Sequence, residues 1–98
     1  MQISITGRHI EVSPDLKSYV EKQIEKLNKF DNHIIRAHVI LEVEKFRYGA
    51  EIVLTLKKQV LKVKEITSNI YGSVERAVKR LEKNLHRFEE KVKLHRKG

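Results

Sequence analysis

The last third of the chain, residues 69–95, carries the feature that most constrains its fold. Apolar side chains recur there every three or four residues, which is the period of one face of an α-helix. The repeating residues are Ile70, Val74, Ala77, Val78, Leu81, Leu85, Phe88 and Val92. At about 100° per residue they all fall on one side of a helix, which we call the apolar stripe. A long helix with such a stripe needs a second apolar surface to cover it.

The charged residues of this segment are sorted by sign on either side of the apolar stripe. Acidic residues lie on one flank at Glu75, Glu82 and Glu89, with Glu90 as an exception. The other flank carries a row that we call the basic ridge: Arg76, Arg80, Lys83, Arg87 and Lys91, with Lys79 at its outer margin. A helix whose charges served only solubility would mix the two signs. The ridge extends over about 22 Å, a length suited to following the phosphates of a polyanion.

The overall charge points to the same kind of partner. The 98 residues contain 21 Lys and Arg against 13 Asp and Glu, a net charge of +8. Residues 69–98 hold 9 basic and 4 acidic groups, and so contribute +5 of that excess. A surplus of this kind favours nucleic acid or an anionic membrane as partner. The length predicts one domain, residues 1–98, and the absence of a signal peptide or membrane-spanning run predicts a cytoplasmic protein.

The first third of the chain predicts a strand followed by a helix. Ile3 and Ile5 alternate with polar residues over positions 2–8, which is typical of a half-buried strand. Ser13 followed by Pro14 is a helix-start signal, because Ser can cap the free amides and Pro loses no hydrogen bond there. The apolar face of this helix, which we expect to end near Lys29, is formed by Leu16, Tyr19, Val20, Ile24 and Leu27.

The middle of the chain predicts three strands joined by short turns. Ile35 to Val43 are apolar at every second position, so residues 34–45 read as a long strand with one buried face. We expect a turn at 46–49, a second alternating strand at 50–56, a tight connection at 57–59 and a last strand at 60–66. Asn69, or Ser68 beside it, is the expected cap of the final helix.

This order, β-α-β-β-β-α, predicts an α/β (α+β) two-layer sandwich. A right-handed crossover makes the first two strands parallel, and the hairpins make the others antiparallel. Strands with one apolar face need cover on one side only, so both helices should pack on the same face of a four-stranded sheet and run parallel to each other. Such a fold resembles that of double-stranded RNA-binding domains. The alternative is a coiled-coil seam, since Val74, Leu81 and Phe88 are spaced by sevens.

Catalytic and metal-binding chemistry finds little support in the sequence. The chain has no cysteine, and neither His33 and His38 nor His86 and His95 have the spacing of metal ligands. We therefore predict no enzyme activity, no metal, no cofactor and no small-molecule substrate. Tyr71 could stack on a base, but at the first turn of a helix it fits half-buried packing better.

Four parts of the sequence carry a family resemblance: residues 1–7 (MQISITG), 11–16 (EVSPDL), 43–45 (VEK), and Ile70-Tyr71 followed by 81–85 (LEKNL) and Arg87. Together they resemble the short form of the bacterial ribosome hibernation-promoting factors, which include the ribosome-associated inhibitor of translation. The first two segments are similar to that family's first strand and helix cap, the third is similar to the end of its second strand, and the last similarity is the most specific. Asn69 stands where the family usually has Asp, and Lys62 and Lys64 make the last strand more basic, which would enlarge the RNA-facing surface.

The resemblance implies a protein that binds the small ribosomal subunit near its decoding centre and holds idle ribosomes inactive during starvation or stationary phase. The basic ridge would contact ribosomal RNA, supported by further basic residues: Lys22, Lys26, Lys29, Arg8, Lys57 and Lys58. The chain ends at Gly98, without the acidic tail or dimerisation domain of relatives, so we expect a monomer off the ribosome. The alternative reading of the same residues is a general double-stranded RNA-binding module.

Overall fold

The chain folds in the predicted element order. The computed structural model describes the backbone of residues 1–97 and the side chains of residues 1–91. Its elements are β1 (Gln2–Arg8), α1 (Pro14–Glu25), a short 3₁₀ helix (Asn28–Phe30), β2 (Ile34–Glu44), β3 (Arg47–Leu56), β4 (Val60–Thr67) and α2 (Ile70–Lys97). The side chains of Val92 and His95, which entered the sequence analysis, lie outside the described residues.

The four strands form one sheet in the order β1-β2-β3-β4. β1 pairs parallel with β2, with Ile3 opposite Ala37, and the remaining pairs are antiparallel. A parallel pair cannot be joined by a hairpin, and here α1 provides the crossover between the two strands. The predicted mixed sheet is therefore confirmed.

One face of the sheet is buried beneath both helices. Val39, Ile52 and Leu54 are fully buried on this face, whereas side chains on the opposite face such as His38, Ile40 and Val53 remain partly exposed. The apolar stripe of α2 supplies the other half of the core, and Leu81 and Leu85 are completely buried. The two-layer sandwich is confirmed, and the coiled-coil interpretation is wrong because the sheet of the same chain already covers the stripe.

The two helices run parallel, as predicted. The ring of Tyr19, early in α1, packs edge-on against that of Tyr71 in the first turn of α2, with centroids 4.9 Å apart. Further along, Phe30 makes the same kind of contact with His86 at 5.0 Å. Contacts that advance in the same direction along both segments define a parallel pair.

Side-chain caps begin both helices where the sequence predicts them. Ser13 Oγ accepts a hydrogen bond from the Leu16 amide at 3.2 Å, and Pro14 occupies the first helical position. Asn69 Oδ1 accepts one from the Tyr71 amide at 2.8 Å. Each cap satisfies amides that have no partner within the helix.

A buried serine ties the start of α2 to the sheet. Ser73 Oγ donates a hydrogen bond to the Tyr48 carbonyl of β3 at 2.6 Å and lies 2.7 Å from Thr67 Oγ1 of β4. It is also 3.2 Å from the Asn69 carbonyl, one turn back in the same helix. A fully buried hydroxyl needs partners of this kind, so the helix is held where these partners are available.

Three local predictions are wrong. The first helix ends at Glu25 and not near Lys29, because a turn and the 3₁₀ helix Asn28–Phe30 follow it. A bulge between Ile34 and Arg36 places Ile34 in the core and leaves Ile35 on the surface, where we had expected Ile35 to be buried. The turn after β2 is also shorter than predicted, because Glu44 pairs directly with Arg47 and only Lys45 and Phe46 form the loop. Gly49, assigned to the turn, lies inside β3.

Replacement of Leu81 by Ala tests the importance of the apolar stripe. The substitution removes a fully buried side chain from the middle of α2 and leaves a cavity, so we expect the free energy of unfolding to fall by about 2–5 kcal/mol. Denaturant unfolding followed by circular dichroism measures the change. Lys83→Ala is the matched control, because Lys83 is exposed two residues further along and Ala favours helix. Equal stability of the two variants would contradict the assignment of the stripe to the core.

Candidate nucleic-acid interface

The basic ridge lies exposed along α2. All six of its side chains are solvent-exposed, and the ridge follows the flank of the helix that faces β4. Burial of the apolar stripe fixes the rotation of α2 about its axis, which leaves the ridge no freedom to turn towards the sheet. The short connection of Ser68 and Asn69 folds α2 back along β4, and the ridge therefore runs from the start of the helix towards the β3–β4 turn.

An acidic residue of β4 holds the first part of the ridge. Glu65 Oε1 lies 3.5 Å from Arg76 Nε, and its Oε2 accepts a hydrogen bond from Arg80 Nη1 at 3.3 Å. A shallow depression of about 260 Å³ is bounded by Glu65 and four residues of the ridge. The sequence did not indicate this pairing, because the partners are at least eleven positions apart and meet only through the packing of α2 on β4.

The acidic flank of α2 faces α1 and its following segment. Lys29 Nζ lies 2.6 Å from Glu82 Oε2, and His33 Nε2 lies 3.9 Å from Glu89 Oε2. This flank is therefore not an open surface at Glu82 and Glu89, whose side chains are about one-third exposed. The acidic residues contribute to the seam between the helices, and the sorting of charge has a partly structural cause.

Three carboxylates have pKa values held below the ordinary 4.5 by neighbouring lysines. A hydrogen bond from Lys29 lowers the pKa of Glu82, and one from Lys79, four residues along α2, lowers the pKa of Glu75. Lys64 lowers the pKa of Glu42 in the same way. Hydrogen bonding to the charged form of a carboxylate favours that form, so all three remain ionised at neutral pH.

The other predicted RNA-binding residues are exposed but do not all share one surface. Lys22, Lys26 and Lys29 lie on or just after α1, across the helical seam from the ridge, and Lys29 is already paired with Glu82. Lys57 and Lys58 form the β3–β4 turn, at the end of the molecule towards which α2 runs. Arg8 lies on the opposite, open face of the sheet.

The basic residues of β4 also belong to the open face. Lys64 Nζ lies 2.7 Å from Glu42 Oε1 of β2, and Lys62 Nζ lies 3.3 Å from Glu51 Oε2 of β3. The side chain of Glu42 crosses β3 over Gly49, where an added Cβ would approach Glu42 Cγ to 3.1 Å. Lys62 and Lys64 therefore do not extend the basic ridge.

Tyr71 and the histidines take part in packing and polar contacts. The Tyr71 side chain is 42% exposed, and the Tyr19 hydroxyl donates a hydrogen bond to its carbonyl at 3.4 Å, which confirms the packing interpretation. His38 Nε2 lies 3.1 Å from Thr6 Oγ1 on the open face. Within the described residues, no three His, Asp or Glu side chains are grouped as metal ligands would be.

Comparison with known proteins identifies the family. The model of the Sigma 54 modulation protein / S30EA ribosomal protein family matches residues 3–93. The chain thus belongs to this family of ribosome-associated domains. No helix in the described part of the chain has both the length and the apolar character needed to cross a bilayer.

Individual relatives show how much of each protein the chain matches. It is 25% identical over 95 residues to the ribosome hibernation promoting factor of Klebsiella oxytoca, covering 97% of this chain and all of the relative. It is 31% identical over 101 residues to the ribosome hibernation promotion factor of Lactococcus lactis subsp. cremoris, of which it spans 53%. The structure of the Thermus thermophilus Protein Y N-terminal domain superposes with a TM-score of 0.84 at 31% identity, covering 90% of this chain and 99% of that one.

The ion pair between Lys29 and Glu82 should make the stability of the protein depend on pH. Because folding lowers the pKa of Glu82, the pair stabilises the protein at pH values above 4.5, and the contribution is lost as the pH falls through the lowered value. Glu82→Gln should lower the free energy of unfolding at pH 7 by less than about 1 kcal/mol, since the pair is partly exposed. The difference from the unmodified protein should shrink towards zero as the pH falls from 7 to well below the lowered pKa of Glu82. Urea unfolding at a series of pH values across this range measures it.

The control is Glu25→Gln, which neutralises an exposed carboxylate of α1. An effect of Glu82→Gln that persisted undiminished at low pH would indicate altered packing at the seam instead of a lost ion pair.

Proposed function

We propose that this protein is a ribosome hibernation factor that binds the small ribosomal subunit near its decoding centre and blocks translation by steric occlusion. The observation that carries the proposal is an exposed basic ridge on a helix whose rotation is fixed by its packing, in a chain of the S30EA family. Relatives matched over nearly all of this chain carry the name ribosome hibernation promoting factor. We further propose that it acts in the cytoplasm, under starvation or in stationary phase, as a monomer off the ribosome.

The ridge suits contacts with the RNA backbone. From Arg76 to Lys91 the helix rises about 22 Å, and its Lys and Arg side chains can reach several successive phosphates. Such contacts supply affinity and orientation but little sequence readout. Specificity would therefore come from the shape of the RNA cleft and from the fixed position of α2 on the sheet.

The ion pairs of Arg76 and Arg80 with Glu65 can be exchanged for contacts with RNA phosphates. Both arginines are well exposed, so their ion pairs with Glu65 are weak and can be replaced by phosphate at small cost. Before RNA binds, the pairs with Glu65 hold the side chains of Arg76 and Arg80 beside β4. The mechanism is non-catalytic: it requires occupancy of the site where messenger and transfer RNA would lie.

Removal of charge from the ridge should strongly weaken ribosome binding. Arg80, Lys83 and Arg87 changed together to Gln lower the net charge from +8 to +5 and remove three phosphate contacts. The slope of log K against log salt should fall to about half its size, from about −4 or −5 for six neutralised phosphates to about −2 or −3 for three. Co-sedimentation with small subunits at a series of salt concentrations measures both the affinity and the slope.

The matched control removes the same charge elsewhere. Lys17, Arg36 and Lys62 are exposed residues outside the proposed interface, and their replacement by Gln also gives +5. We expect this variant to bind with nearly unchanged affinity and slope. Equal losses in the two variants would show that binding follows net charge alone and would contradict a role for the ridge.

A competition experiment separates the proposal from a general double-stranded RNA-binding module. Gradient sedimentation with ribosomes is repeated with an excess of an unrelated RNA duplex. A hibernation factor should remain on the small subunit, whereas a module that recognises any A-form duplex should be displaced.

A further inference from the structure

An aromatic side chain stands almost fully exposed at the tip of the β2–β3 hairpin. Phe46 is 87% exposed, more than any other large apolar side chain among the described residues. A single exposed apolar residue is common on protein surfaces, so exposure alone carries little weight. The surroundings of Phe46 give it significance.

The backbone beneath Phe46 is held in an unfavourable conformation. Lys45 and Phe46 form a two-residue loop closed by the pair of Glu44 and Arg47, and Lys45 has a φ of 59°. A two-residue hairpin that requires positive φ normally carries Gly or Asn at that position, because a longer side chain is strained there. Lys45 occupies this position despite the strain and places a positive charge next to the aromatic residue. Residues with strained backbone conformations cluster at binding sites.

Basic residues flank Phe46 on both sides in the hairpin. Lys45 and Arg47, on either side of Phe46, are exposed, and neither forms an ion pair within the described part of the chain. Beside them lies a shallow depression of about 310 Å³ that also includes Lys64, Glu42 and Glu44. The carboxylate of Glu42 is engaged by Lys64, and that of Glu44 forms no ion pair with Lys45 or Arg47 in the described part of the chain. The two cations of the hairpin can therefore pair with an outside anion.

The hairpin tip is fixed relative to the basic ridge. Tyr48, two residues after Phe46, pairs with Thr67 at the end of β4, and its carbonyl accepts the hydrogen bond from Ser73 in the first turn of α2. The tip therefore projects from the end of the molecule where α2 begins, and the ridge starts at Arg76 less than one turn after Ser73. A partner could contact both surfaces at once without any rearrangement of the protein.

We propose that Phe46 stacks on an unpaired base of the ribosomal RNA, with Lys45 and Arg47 on the adjacent phosphates. The inference rests on the proposed function and adds a second contact to it. An aromatic ring between cations is the arrangement with which proteins bind single-stranded nucleic acid, because every base offers a π-face and every nucleotide a phosphate. Because the loop has only two residues, its backbone loses little conformational entropy when the ring binds a base.

Substitutions at Phe46 test stacking directly. Phe46→Ala should weaken binding to small subunits by about five- to a hundredfold, the range expected for loss of one stacked base. Phe46→Trp should retain binding. Phe46→Leu keeps apolar bulk without a π-face, and should be nearly as weak as the Ala variant. Val60→Ala, at an exposed apolar residue near the opposite end of the sheet, is the control and should bind normally.

Chemical probing of the ribosomal RNA gives an independent readout. The unmodified protein should protect at least one unpaired nucleotide that becomes reactive again with Phe46→Ala, while the protections due to the ridge persist. Thermal melting should be the same for all four variants, since the substituted side chains are exposed.

The outcomes distinguish this proposal from the proposed function. Normal binding by both Phe46→Ala and Phe46→Leu would overturn the stacking contact and leave the hibernation proposal intact. Binding restored by Leu would also overturn it, since the ring would then occupy an apolar pocket of a ribosomal protein. Failure of the unmodified protein to bind small subunits would instead overturn the proposed function itself.

Discussion

The burial of one helix stripe against the sheet is the constraint on which the rest of this molecule depends. Leu81 and Leu85 have no exposed surface, Ile52 and Leu54 of the facing strand β3 are equally buried, and Val63 of β4 is 4% exposed. Once these residues pack, α2 has a single rotational setting, because a turn of 100° about its axis would carry the stripe into solvent. The direction in which every polar residue of α2 points follows from that setting.

The sorting of charge on α2 has two separate causes. One flank faces α1 and the segment that follows it, and its glutamates carry the charge opposite to that of the lysines there, as Lys29 and Glu82 illustrate. The other flank borders β4, where the single carboxylate of Glu65 pairs with two arginines of the ridge. Among the described residues, the rest of the ridge forms no ion pair with an acidic residue outside α2. The flank of α2 that borders β4 therefore keeps an excess of positive charge that no ion pair in the described part of the fold compensates. It is this uncompensated part of the charge that favours an interaction with RNA.

The fold could be predicted from local pattern because its determinants are local. The caps at Ser13 and Asn69, the alternation in the strands and the period of the apolar stripe each depend on residues close in sequence. The bulge at Ile34 and the two-residue loop at Lys45 and Phe46 could not be predicted, because no Gly or Asn marks the loop and Gly49 suggested a later turn. The composition of the ridge was also predictable from the sequence, whereas the pair of Glu75 and Lys79 was not predicted, because the charge pattern assigned them to opposite flanks. The ion pairs of Glu65 could not be predicted from the sequence, because only the packing of α2 on β4 brings Glu65 close to Arg76 and Arg80.

The buried hydroxyl of Ser73 has a mechanical consequence. With partners on β3, on β4 and in the preceding turn, it opposes sliding of α2 along its own axis as well as rotation about it. A shift by one residue would carry the hydroxyl about 1.5 Å from its acceptors and bury it without them. The protein consequently behaves as a stiff template, and whatever adjustment of shape an extended contact demands must be made by the molecule that binds it.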